Sequence, residues 1–196
     1  SVVTFAGTGV TGTQNSPVII LANINGVAVS STGAVFVADK GNRCVRKVLA
    51  ADGDTTTYAG TCAADALGGT DGTEGARFNG PEAIVADGSG VLYVGEVSGN
   101  AVRKVDLGGA VTTVAGTGAV GTADLNGIDA TLTPQHIAYD LANDFVYIGE
   151  SAGRIRVLDP ATGWVTTVKS GLSEPVGIAV NGDASAVFIS DDTDGV

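Results

Sequence analysis

One phrase returns four times along the chain, and this recurrence restricts the fold more than any other feature. The copies are "VVTFAGTG" from Val2, "TTTYAGT" from Thr55, "VTTVAGTG" from Val111 and "VTTVKSG" from Val165. Counted from Thr4, Thr57, Thr113 and Thr167, they stand about 53, 56 and 54 residues apart. Each is a short β-branched run that ends in a glycine-bearing turn, so each reads as a strand. A fixed period of this length means a repeat architecture.

Three further phrases recur between the copies in constant order. The first, strand A, follows an apolar residue and a turn: "LANINGVAV" from Leu21, "FNGPEAIVAD" from Phe78, "LTPQHIAYD" from Leu132 and "LSEPVGIAV" from Leu172. Strand B is "AVFVAD" (Ala34 to Asp39), "VLYVGE" (Val91 to Glu96), "FVYIGE" (Phe145 to Glu150) and "AVFISD" (Ala186 to Asp191), apolar throughout as in a strand buried on both faces. Strand C is "CVRKV" from Cys44, "AVRKV" from Ala101 and "RIRVL" from Arg154, and the opening phrase is strand D. Four short antiparallel strands joined by Gly, Asn and Asp turns make one blade of a β-propeller. The 30 glycines, the many Thr and Val residues and the absence of Met fit an all-β chain of tight turns. No window approaches the ~18 apolar residues of a membrane-crossing helix, so no membrane insertion is expected.

"VADKGNRCVRKV", "FNGPEAIVADGSGVLYVGEVSGNAVRKV" and "TVAGTG" followed by "DG" resemble NHL repeats. The resemblance runs over nearly the whole chain and implies a β-propeller, usually of six blades. It departs at three places: Ile24 stands where Pro81, Pro134 and Pro175 occur, "SAGRIRVL" replaces a GN-type turn, and Ser170 to Glu174 is a short link where the earlier blades have long loops. The whole of 1–196 reads as one propeller segment, with strand D of a preceding blade at 1–7 and blades at 22–60, 78–116, 132–169 and, incomplete, 172–196. That is three and three-quarter blades, a strand C short of four. The expectation is a fragment of a longer chain. The alternatives are a four-bladed ring closed by the first strand, or blades continued by neighbouring molecules in self-assembly.

Cys44 in strand C and Cys62 just past strand D flank a turn centred near Gly53, nine residues from each, so an antiparallel hairpin sets them nearly opposite. A disulfide there would close a loop of about 19 residues and contribute roughly 3 kcal/mol in the chain-entropy model. The other reading is two buried thiols. The disulfide would imply an extracellular or cell-surface setting.

The recurring carboxylates Asp39, Glu96, Glu150 and Asp191 and the recurring Arg46, Arg103 and Arg156 read as ion pairs or turn acceptors inside blades, because a ring spreads repeated groups around its axis. Positions that break the pattern are more informative. His136, the one histidine, replaces Gly26, Ala83 and Gly177 in strand A, which lines a propeller's central channel. It is the channel-mouth candidate, although its local partner Asp140 lies about 13 Å along the strand. Trp164, at the start of outer strand D, is a contact candidate or a cover for the blade edge. "SDDTDG" from Ser190 matches only the opening of a calcium loop. No catalytic residue, metal site or cofactor is assigned.

Ten basic residues against 21 acidic ones give a formal charge of -11, which opposes binding to nucleic acid and anionic lipid. RNA binding, found among NHL proteins with a basic face, is therefore not expected. The long loops 8–20, 61–77 and 117–131 should gather on one face and carry binding. They hold no N-x-[ST] sequon, and their threonines leave O-linked sugar open. The functional expectation is a non-catalytic interaction or structural module of a secreted, cell-surface or extracellular-assembly protein. Its partners would be other protein chains or further blades. The alternative is part of a propeller enzyme of metal-dependent lyase or lactonase type, which the resemblance also allows.

Overall fold

The computed structural model describes Ala6 and residues 21–49, 54–62 and 69–192. Strand D of the preceding blade, the loop 8–20 and the end of the calcium-like motif lie outside the described residues.

The fold is all-β. Three four-stranded antiparallel sheets follow one another: β1 (Ile24–Val29), β2 (Val35–Asp39), β3 (Cys44–Val48) and β4 (Thr55–Ala59); β5 (Pro81–Ala86), β6 (Leu92–Glu96), β7 (Ala101–Val105) and β8 (Val111–Ala115); β9 (Pro134–Asp140), β10 (Phe145–Glu150), β11 (Arg154–Leu158) and β12 (Val165–Lys169). A two-stranded sheet, β13 (Pro175–Val180) with β14 (Val187–Asp191), ends the described chain. The A strands pack side by side, β1 on β5, β5 on β9 and β9 on β13, so the sheets fan out from a common axis as propeller blades do.

Each sheet twists where its ladder skips a residue. In every A strand the register shifts by one near its start: Asn25, Glu82, Gln135 and Val176 are the residues passed over. Ile24 pairs with Asp39 just as Pro81 pairs with Glu96, Pro134 with Glu150 and Pro175 with Asp191. The missing proline of the first blade therefore leaves the geometry unchanged. A second shift separates strands C and D in each complete sheet, passing over Tyr58, Val114 and Val168.

The core sits between blades. Phe36 and Ala28 of the first blade meet Ile84, Leu92 and Val94 of the second; Tyr93 and Val102 of the second meet Ile137, Val146 and Ile148 of the third. Stacking explains why strand B is apolar on both faces, and it also explains where that expectation fails. Phe36 and Tyr93 are 4% and 3% exposed because the next blade covers them, whereas Phe188, at the same register position in β14, is 62% exposed. On the opposite end of the stack, Val27 in β1 is 65% exposed, while its counterparts Ile84 and Ile137 are buried.

Loop 8–20 lies outside the described residues, and the described parts of the other two long loops pair with strand edges. Residues 69–77 and 125–127 pass along the outer edge of the following blade. Gly72 exchanges backbone hydrogen bonds with Val111 at 2.9 Å in each direction, and Val165 donates to Leu125 at 3.0 Å. Each loop thus pairs with an otherwise open strand D before the chain turns inward to the next strand A. Covering an edge in this way removes unpaired backbone groups that would template aggregation.

Candidate functional site

The four A strands enclose a cleft of about 430 Å³ at the axis. The bulges decide what lines it, since the extra residue of each strand brings two successive side chains toward the opening. Asn25, Glu82, Gln135, His136 and Ile178 are part of its wall. His136 occupies the register position of Gly26, Ala83 and Gly177, as the repeat alignment requires. Its charged neighbour is Glu82 of the adjacent blade. Asp140, the partner considered along the strand, instead closes the next turn by accepting from the backbone N–H of Ala142 at 2.9 Å and Asn143 at 3.1 Å.

Glu82 is itself held from two sides. Lys40 Nζ lies 2.6 Å from Glu82 Oε2, and Asn25 Nδ2 donates to Oε1 at 2.8 Å. Burial pushes the His136 pKa below its ordinary value, while the charge of Glu82 works in the opposite direction. The cleft therefore presents an imidazole, an amide and a carboxylate paired with lysine. Such a set can hydrogen-bond a polar ligand. Among the described residues, no group of three His, Cys, Asp or Glu side chains is placed to hold a metal ion.

A second polar system lies inside each blade. The carboxylate that ends strand B accepts a backbone N–H from the segment leading into strand A: Asp39 from Ala22 at 3.0 Å, Glu96 from Asn79 at 2.7 Å, Glu150 from Thr133 at 3.0 Å and Asp191 from Ser173 at 2.8 Å. The strand C arginine then completes a buried ion pair, Arg46–Asp39 at 3.2 Å, Arg103–Glu96 at 3.1 Å and Arg156–Glu150 at 3.5 Å. The blade-internal pairing read from the repeat is present. Asp191 shares this role, so the start of the calcium-like motif serves the strand.

Two residues that the repeat did not reveal join these pairs. Asp71 and Asp124, from the loops that wrap the second and third blades, contact Arg103 at 2.7 Å and Arg156 at 2.8 Å. Each also accepts a hydrogen bond from the strand D threonine, Thr113 at 2.9 Å and Thr167 at 2.7 Å. Burial opposes their ionisation, but the threonine and arginine contacts hold both carboxyls below the usual range. The sequence signal for them is an aspartate in each glycine-rich loop that stands 32 residues before the strand C arginine it meets.

Cys44 and Cys62 form a disulfide, with Cα atoms 4.9 Å apart. Cys62 adopts φ +49°, the left-handed region, at the position that Gly118 fills in the second blade with φ +83°. Trp164 precedes β12 and bridges to Asn126 of the wrapping loop through its backbone, leaving its side chain 53% exposed. The main chain meets the edge cover and the ring faces solvent.

No family model matches the sequence, and no curated protein matches it. Solved structures do match, and they share the β-propeller fold. An auxiliary nutrient binding protein from Bacteroides thetaiotaomicron is similar with a TM-score of 0.67 and 19% identity over 86% of this chain and 45% of that one. A protein of unknown function from the same organism has a TM-score of 0.66 and 18% identity over 87% and 45%. Virginiamycin B lyase from Staphylococcus aureus has a TM-score of 0.62 and 16% identity over 87% and 49%. The chain spans about half the length of the structures it matches.

Proposed function

We propose that the chain is part of an NHL-type propeller that acts by contact, as a non-catalytic interaction or structural module of a secreted, cell-surface or extracellular-assembly protein. The observation that carries this reading is the pair of exposed end faces among the described residues, with Val27 on one and Phe188 on the other. Equivalent side chains between blades are buried, so the end faces have the composition of a blade interface. Covering Phe188 alone would stabilise the contact by about 2 kcal/mol. Further blades of the same fold, from the same chain or another, are the occupants that match both faces. The Cys44–Cys62 disulfide supports an oxidising compartment.

Light scattering of the native protein, beside Phe188→Asp and Val27→Asp variants, tests the reading when coupled to proteolysis of the folded state. The two substitutions should loosen the covered ends and expose new cleavage sites beside β1 and β14. Unchanged mass and unchanged cleavage in both variants would remove the basis for an interface there.

An enzymatic reading has one specific support, the meeting of His136 and Glu82 in the axial cleft, together with the fold shared with a lyase. Turnover of a streptogramin B that disappears in His136→Ala would replace the first reading with this one.

A further inference from the structure

The three complete blades are near-copies, so a difference at one register position can be read against two internal controls. Cys44, Ala101 and Arg154 all stand opposite the carboxylate that ends strand B, paired with Asp39, Glu96 and Glu150 respectively. In the first blade the space beside this position is taken by the disulfide to Cys62. In the third it is taken by the Arg154 side chain, whose Nε donates to Glu150 Oε2 at 3.1 Å and whose Nη2 donates to Gly121 O at 3.2 Å. In the second blade Ala101 and Gly118 fill none of it, and a polar cavity of about 270 Å³ remains, bordered by Glu96, Arg103, Asn79, Ser98, Thr113 and Thr117. One water needs only ~10–15 Å³. Ser98 and Thr117 are exposed, so the cavity opens to solvent.

Hydrogen bonding differs in the same place. Glu96 is 1% exposed, and its Oε1 takes both the Asn79 N–H at 2.7 Å and Arg103 Nη1 at 3.1 Å. Its Oε2 has no donor among the described residues, whereas Glu150 Oε2 has two, from Arg154 and Arg156. The unpartnered Nε of Arg103 is matched by that of Arg156, so it is common to both blades and does not distinguish them.

Charge completes the contrast. The third blade sets Glu150 and Asp124 against Arg154 and Arg156, a balanced four. In the first, Asp39 faces Arg46, and the preceding loop 8–20 contains no acid. The second blade sets Glu96 and Asp71 against Arg103 alone, leaving one negative charge in excess. Arg43 of the first blade donates to Asn79 Oδ1 at 3.3 Å. Burial, with a contribution from Asp71, holds the Glu96 carboxyl above its ordinary value despite Arg103.

We infer that the second blade carries a binding site for a small organic cation, a guanidinium or primary ammonium group, that donates to Glu96 Oε2 where Arg154 donates to Glu150 in the third blade. A carboxylate facing a planar donor is a strong, charge-assisted arrangement, and Ser98, Thr113 and Thr117 supply acceptors for the remaining N–H groups. The backbone also keeps the site open: a Cβ at Gly99 would stand 2.5 Å from Glu96 Oε2.

Calorimetric titration of the native protein with methylguanidinium, with urea as the neutral planar control, tests the assignment. Methylguanidinium should bind saturably at one site and urea should bind at least roughly ten-fold more weakly, the factor expected for losing a charged hydrogen bond. Glu96→Gln should weaken methylguanidinium by a similar factor. Ala101→Arg should abolish binding by supplying the guanidinium internally, and Glu96→Gln keeps the test open if that variant does not fold. A capped Gly-Arg-Gly peptide that binds as well as methylguanidinium would make a protein side chain the source of the cation, and one that fails to bind would make it a free small molecule. Equal binding of urea, no saturable binding, or indifference to Glu96→Gln would each overturn the site and leave a water-filled cavity.

Discussion

Replacing the disulfide with the residues that the second blade uses at the same positions gives a controlled measure of what the crosslink contributes. Cys44 and Cys62 are 18 positions apart. In the chain-entropy model, closing a loop of that size removes about 11 cal/mol/K from the unfolded ensemble, or roughly 3 kcal/mol at room temperature. Cys62 also sits at φ +49°, where a non-glycine residue costs about 1 kcal/mol. The double variant Cys44→Ala, Cys62→Ala should therefore lose roughly 3 kcal/mol, because it keeps the unfavourable backbone. Cys44→Ala, Cys62→Gly should lose only about 2 kcal/mol, since glycine relieves it. For a domain near this size ~1 kcal/mol moves Tm by about 2–4 °C, so the alanine pair should melt roughly 6–12 °C below the parent and the glycine pair between the two. Circular dichroism melts with and without reductant read both numbers, and reductant should move only the parent. A glycine variant as unstable as the alanine variant would refute the backbone argument. Two variants that melt with the parent would refute the entropic one.

Three other outcomes follow from the same geometry. Asp71 and Asp124 are held below the usual carboxylate range, so their contribution is complete above an unfolded pKa near ~4 and is lost as pH falls through the lowered folded values; urea midpoints from pH 6 to pH 2 should fall less steeply in Asp124→Asn than in the parent. His136 is lowered by burial, so its contribution is present above an unfolded pKa of ~6.5 and declines as pH drops below it; His136→Gln should flatten that part of the stability profile, and an unchanged profile would place the imidazole in open water. Gly127→Ala would set a methyl group against Val114 O and 2.8 Å from Gly163 O, at the point where the wrapping loop meets the edge of the third blade. It should cost about 1–3 kcal/mol in denaturant unfolding and speed amide exchange in β12.

Strands were readable because their signals are local and repeated. An apolar B strand, an arginine in C and a β-branched D strand before glycine recur with little change, and among the described residues the ladders place them where the repeat put them. The cysteine pairing was readable for the same reason, since a hairpin fixes which residues stand opposite. What the sequence concealed depends on distance in space. Glu82 reaches His136 across a blade boundary, and a search along "TPQHIAYD" finds only Asp140, which is committed to a turn. Asp71 and Asp124 each stand 32 residues before the arginine they meet, a constant spacing that lies in glycine-rich loops outside the four recurring strand phrases. The cavity beside Glu96 is visible only when Cys44, Ala101 and Arg154 are superposed with their surroundings. Strand B of the last blade was expected to be buried, and β14 is not, because burial belongs to the stack and among the described residues the fourth sheet has a neighbour on one side only.

The central claim is that the end faces of this stack of blades are interfaces. Hydroxyl-radical footprinting of the native protein tests it directly, with Phe36 as an internal standard for a phenylalanine sealed between blades. The account predicts that Phe188 oxidises as slowly as Phe36. Oxidation of Phe188 at the rate of a solvent-open phenylalanine, with Phe36 still protected, would contradict it.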